Sequence, residues 1–245
     1  MFWYIWHTFF FDPVYNGLIF FVSVIPGGDI GIAIILTTIV IKLILLPLSI
    51  KAAKTQKVMR EIEPQLRELK EKYKDDREKQ AQAMLALYRE AGMNPFSAIF
   101  VIILQVPLVI ALYLSVYGYA GYALPDVNVE VLYRLVSAPA ESEIGMMFLG
   151  LIDMAGRSLL LAFLAGVTMY YQMQLVLPKL AAREPDAKPD FKADFTRNMQ
   201  LQMKYVMPIL IAGIAYFISA AIALYFVVSN VVAILQEFYI RRHRR

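Results

Sequence analysis

The strongest constraint on this chain is how its charge is segregated. Stretches of about 20 residues carry almost no charged side chain, and the charges crowd between them. A helix crossing a bilayer needs about 20 mostly apolar residues, because the hydrocarbon core is ~30 Å thick and each residue rises ~1.5 Å. The spacing predicts spans over 30–50, 96–117, 158–177 and 221–239, with a shorter one over 205–219. Only Ser219-Ala220-Ala221 separates the last two, so they should form an antiparallel hairpin. Composition agrees: 59% of the 245 residues are AVILMFWYC and only 18% are charged. That much apolar surface excludes a disordered chain. The absence of cysteine excludes a disulfide-stapled fold, thiol catalysis and cysteine-based zinc sites. The two histidines, His7 and His243, stand at opposite ends, which argues against a histidine metal site within one chain. No cofactor or metal is expected.

Basic residues set the orientation. Residues 51–95 hold 11 Lys and Arg, residues 179–204 hold 6, and the tail 241–245 holds 4. With five spans these segments share one face, which the positive-inside rule places in the cytoplasm, N-out and C-in. Residues 1–28 are aromatic and lack Lys and Arg. A secretory signal peptide needs a basic start, so that reading is poor. A sixth span remains open, and an aromatic helix lying in the interface is preferred. Pro26-Gly27-Gly28 would then turn the chain into the first span.

The polar parts differ in character. In 51–95, apolar residues recur at Val58, Ile62, Leu66, Leu69 and Tyr73, then a second stripe runs Gln80, Met84, Leu87 and Ala91. This predicts a helical hairpin, with Pro64 kinking or restarting its first arm. It serves either as a solvated coiled-coil linker or as a docking arm for a cytoplasmic partner. Its 11 basic and 8 acidic residues are too mixed for a nucleic-acid clamp. Residues 178–204 read as a flexible loop, and the basic tail 240–245 as an anchor at the lipid surface or, less simply, as a contact with ribosomal RNA phosphates. The outer segment 118–157 shows no catalytic constellation.

Lys42 needs explaining. It lies eight residues before the end of the first span, about 12 Å deep at the helical rise. A central charge costs ~2.5–3.5 kcal/mol on insertion scales. It either snorkels toward the headgroups or faces a water-filled cavity. Thr38 shares its helical face at i−4. Gln105, Gln172, Gln174, Ser229, Asn230 and Gln236 add polar groups to the other spans. Each alone could be an interhelical hydrogen bond. Together they point to a wet groove. No carboxylate lies within the spans except Glu237 at the very end, which argues against a proton-coupled transporter.

The run Ile41-Lys42-Leu43-Ile44-Leu45-Leu46-Pro47-Leu48-Ser49-Ile50-Lys51 resembles the first core helix of the YidC/Oxa1/Alb3 membrane protein insertases. So do the hairpin ending in Leu87-Tyr88-Arg89-Glu90-Ala91-Gly92-Met93-Asn94-Pro95, the run Leu104-Gln105-Val106-Pro107, Gly166-Val167-Thr168-Met169, and Leu224-Tyr225-Phe226-Val227-Val228-Ser229-Asn230. The resemblance covers roughly 29–242. It implies an all-α polytopic protein of the inner (plasma) membrane, in the small form without a large periplasmic domain. It also implies a positively charged groove, open to cytoplasm and lipid, that receives the hydrophilic tail of a nascent membrane protein. The hairpin would recruit or hand over that substrate, alone or beside the Sec translocon and the ribosome. No nucleotide is hydrolysed in such a mechanism, and the sequence has no P-loop, so the chain should not be an enzyme.

The resemblance places Lys42 where the family usually has arginine, Thr38 at a groove threonine and Gln105 at a polar groove position. It matches Tyr225 and Phe226 to an aromatic pair on the substrate path. With Gln172, Ser229 and Asn230 these form the expected substrate-binding set. Ser219-Ala220-Ala221-Ile222 stands where the family has Pro-Ala-Gly. The rival reading is a small channel or transporter with Lys42 as its anion site, but the inverted repeats and broken mid-membrane helices of transporters are not evident.

Overall fold

Proline and glycine positions decide where the helices start and stop. A computed structural model of the chain describes residues 1–92, 96–119, 121–177 and 198–242. The Met93-Asn94-Pro95 stop, residues 178–197 of the expected loop and the last three tail residues lie outside the described residues. Two compact units emerge, residues 1–43 with 108–245, and residues 44–107.

The larger unit begins with α1 (Phe2–Trp6), a π-helical turn (His7–Phe11) and α2 (Asp12–Val24). Pro13 has no N–H to give the preceding turn, and the turn ahead of it widens so that the Asp12 N–H reaches the His7 carbonyl. One face of this helix is buried through Phe11, Val14, Leu18, Ile19 and Val22. Its polar residues tie it to residues 128–133. Asn16 Nδ2 donates to the Val131 carbonyl at 2.9 Å, Asn16 Oδ1 accepts from the Tyr133 N–H at 2.6 Å, and the Tyr15 hydroxyl accepts from the Asn128 N–H at 2.8 Å.

Helix α3 (Ile30–Ile44) is capped by Asp29, whose Oδ1 accepts from the N–H groups of Gly31 and Ile32 at 2.8 and 3.1 Å. Asp29 Oδ2 accepts from the Leu149 N–H at 2.7 Å, so the cap also holds the segment 121–157. That segment contains a short antiparallel pair, β1 (Met147–Phe148) and β2 (Ile152–Asp153), with Met147 opposite Asp153. The Phe148 ring fills the space that a Cβ on Gly31 would need.

Helix α8 (Leu159–Val176) packs on both α9 (Met207–Ile218) and α10 (Ala220–Arg242). Gly166 brings α8 close to α9: a Cβ there would meet the Ala212 Cβ at 3.0 Å and the Pro208 carbonyl oxygen at 3.1 Å. Small residues serve this purpose where lipid offers no hydrophobic drive between helices. Extended Ser219 makes the turn between α9 and α10, and its Oγ accepts from the Ile222 N–H at 3.2 Å. The predicted hairpin of final helices is therefore present.

In the smaller unit, α4 (Leu46–Glu61) is followed by α5 (Glu63–Lys72) and α6 (Arg77–Glu90). Pro64 restarts the first arm as α5 after a break at Ile62. Ile62 and Leu66 are buried, and the other stripe residues on both arms are half-buried. The arms are joined by Gln80 Nε2, which donates to the Lys70 carbonyl at 2.9 Å. Asp76 caps α6 by accepting from the Lys79 N–H at 3.0 Å, and this bond with the Lys79 ammonium holds its carboxyl below the usual range. Helix α7 (Phe96–Tyr117), of which 96–107 belong to this unit and 108–117 to the larger one, has the bounds expected for the second span.

Two predicted spans differ from the observed helices. The first does not run unbroken from 30 to 50, because the helix breaks at Leu45. Pro47 lacks the N–H that would bond the Leu43 carbonyl, so α3 stops at Ile44 and α4 starts anew. The fourth starts earlier than expected, as a helical stretch Asn198–Ile218. Among the described residues, three helices are long and apolar enough to cross a membrane, or four if α3 and the start of α4 count as one.

Replacing Gly166 with leucine should force α8 and α9 apart at a cost of about 1–3 kcal/mol, read from denaturant unfolding in detergent. In the hairpin, Asp76→Ala should speed amide exchange in the first turn of α6. The depressed carboxyl stabilises that turn above the ordinary aspartate range, so acidification through the depressed value should produce the same loss in the unsubstituted protein.

Candidate functional site

Inside a bilayer, a polar side chain either satisfies a neighbouring helix or lines a wet cavity. The structure separates these roles among the expected groove residues.

Asn230, 5% exposed, is engaged by α8. Its Nδ2 donates to the Ala165 carbonyl at 3.3 Å and to Thr168 Oγ1 at 3.1 Å. Thr168 in turn donates back to the Leu164 carbonyl at 2.8 Å. Thr38 is buried and donates to the Ile34 carbonyl one turn back at 2.7 Å. Both residues therefore serve helix structure as well as any polar site. Tyr225 and Ser229 are buried on α10 one turn apart. Phe226 is half-buried with its ring edge-on to Tyr225, the centroids 5.6 Å apart.

Lys42 is half-buried in the last turn of α3. Gln236 Nε2 of α10 donates to its backbone carbonyl at 3.3 Å, which brings together two of the residues singled out from the sequence. Gln172 Oε1 of α8 is buried without a hydrogen-bond partner. Helices α8 and α10 run parallel, since the Gly156 carbonyl meets the Ala220 N–H at one end and Arg241 donates to the Leu175 carbonyl at the other. Ala165 and Thr168 stand level with Asn230, so Gln172, a turn further on, stands at about the depth of Gln236. Gln174 is spent on the Tyr170 hydroxyl at 2.6 Å. Gln105 is half-buried and belongs to the smaller unit.

Sequence reasoning overlooked three features. Thr37 Oγ1 is buried without a partner, with Gly17 of α2 at its methyl group. Arg241, read as part of a basic tail, pairs with Glu237 at 2.8 Å as well as reaching α8. His7 is held by two side chains: its Nδ1 is 2.7 Å from Asp12 Oδ1 and its Nε2 is 2.9 Å from the Tyr119 hydroxyl. The Glu237/Arg241 spacing of four and the His7/Asp12 spacing of five were visible in the sequence; the contacts of His7 with Tyr119, Arg241 with Leu175 and Thr37 with α2 join residues distant along the chain.

A chain of apolar helices with a lysine in the last turn of α3 and a polar helical hairpin has clear relatives. The model of the 60Kd inner membrane protein family matches residues 20–245. A membrane protein insertase YidC of Clostridium tetani is 31% identical over 217 residues, covering 89% of this chain and 84% of the relative. One from Oceanobacillus iheyensis is 30% identical over 243 residues, covering 97% and 84%. One from Methylobacillus flagellatus is 34% identical over 212 residues, covering 86% of this chain but 32% of that longer protein. The chain belongs to the 60Kd inner membrane protein family, the YidC/Oxa1-type insertases of the inner membrane.

Removing the Asn230 amide, as in Asn230→Ala, should destabilise the α8–α10 contact by about 0.6 kcal/mol, the average for membrane interhelical hydrogen bonds. Unfolding in detergent micelles, compared with Thr168→Val and the double variant, would show whether the two losses are coupled.

Proposed function

We propose that this chain inserts membrane proteins, holding the polar tail or loop of a substrate in a cationic groove while the substrate's apolar segment passes into lipid. The observation that carries this reading is Lys42, a half-buried cation in an apolar helix, in a chain whose relatives are named membrane protein insertases. A cation at this depth attracts acidic tail residues, and cavity water lowers the cost of carrying polar groups part-way across. Thr38, Gln105, Gln172, Tyr225, Phe226, Ser229 and Asn230 would line or shape this groove. Gln172 Oε1, buried and unpartnered, is suited to accept a hydrogen bond from a substrate N–H or from groove water. The topology proposed with it has five spans, N-out and C-in, an interfacial N-terminal helix and the α5–α6 hairpin as a cytoplasmic receiving arm. Nascent membrane proteins and lipid are the partners this requires, with the Sec translocon and the ribosome as further candidates. The mechanism makes or breaks no covalent bond.

The test is reconstitution into liposomes with a single-span substrate bearing a short acidic N-tail. The unsubstituted protein and Lys42→Arg should insert it, while Lys42→Ala at equal membrane abundance should fall to the empty-liposome background. Insertion by Lys42→Ala at the unsubstituted rate would remove the groove cation from the mechanism. Anion flux without insertion would replace the proposal with a channel.

A further inference from the structure

The break at Leu45 leaves α3 with a chemical problem at the depth where Lys42 must work. The last carbonyls of a helix lack intrahelical donors, and in hydrocarbon an unsatisfied carbonyl is costly. Pro47 deepens the shortage by withholding its own N–H. The Lys42 carbonyl, in that last turn, receives the Gln236 amide from α10 at 3.3 Å. The residue carrying the charge is thus also the residue whose backbone is pinned to the neighbouring helix. A lysine ammonium rides on a four-carbon stem, so the depth of its backbone bounds where the charge can reach. The bond from Gln236 ties that backbone to α10.

We infer that Gln236 is a positioning residue for Lys42: by capping the C-terminal end of α3 from α10, it sets where the Lys42 ammonium stands for an acidic substrate tail. The inference rests on the insertase reading for its functional consequence, but not for its geometry. Gln236 touches the Lys42 carbonyl and needs no contact with substrate. Methionine at 236 keeps the length and the helical propensity and removes the donor.

Two measurements test it. The chain has no cysteine, so Lys42→Cys creates a single thiol whose labelling by a water-soluble maleimide reports how that position meets water. Adding Gln236→Met should change the labelling rate about threefold, the scale of one interhelical hydrogen bond in a membrane. An unchanged rate overturns the inference. In the liposome assay, Gln236→Met should lower insertion of an acidic-tail substrate by a similar factor and leave a neutral-tail substrate unaffected. An equal loss for both tails assigns Gln236 a merely structural role and overturns the inference. If the unsubstituted protein inserts nothing while labelling at position 42 still responds to Gln236→Met, the insertase reading fails and the positioning geometry stands.

Discussion

Hydrocarbon cannot hydrogen-bond a peptide group, and this single prohibition organises the membrane part of the chain. Helix α10 is where it is answered. At one end, the first N–H groups of α10 meet carbonyls just ahead of α8: Ala220 donates to Gly156 at 2.8 Å and Ala221 to Met154 at 3.1 Å. In the middle, Asn230 reaches the Ala165 carbonyl of α8. At the far end, Gln236 donates to the Lys42 carbonyl of α3, and Arg241 donates to the Leu175 carbonyl of α8. The same helix thus supplies donors to the C-terminal ends of two others. Losing α10 would strand polar groups at every level, which is why its inward face carries Ser229, Asn230 and Gln236 amid otherwise apolar residues.

Residues 121–157 bond partly within their own turns and partly to helix ends. Asp29 caps α3 and binds the Leu149 N–H with its second oxygen, and the Ile30 N–H meets the Gly145 carbonyl at 3.0 Å. Asn16 and Tyr15 bind the same segment from α2. An element read from sequence only as polar and non-catalytic therefore ties together the starts of α3 and α10 and one face of α2.

Much of the helical scaffold was legible because hydropathy is additive along a chain. Residues 96–117 and 158–177 needed no tertiary information, and neither did the stripe of Ile62 and Leu66. The break at Leu45 was hidden because hydropathy counts apolar side chains and is blind to a missing N–H at Pro47. The polar residues were harder for a different reason. Asn230 and Gln172 belong to one chemical class and both lie within apolar helices, yet the Asn230 amide is spent on a neighbouring helix and the buried Gln172 oxygen has no partner. Only the packing of α8 on α10 distinguishes them. Gln236 is the extreme case, since its acceptor is a backbone carbonyl 194 residues away and no side-chain pattern announces it.

These constraints bear on the choice of lysine at position 42. Arginine would bring a rigid planar fork and could define its own geometry by bidentate contacts. Lysine brings a point charge that adapts to many carboxylate poses but cannot orient itself. A site built on lysine therefore places its precision in the backbone, through a helix end of fixed depth, and that end is costly in lipid unless a donor covers it. Pro47 ends the helix by leaving the Leu43 carbonyl without its donor, and Gln236 bonds the adjacent Lys42 carbonyl, so the depth of the Lys42 backbone is tied to α10.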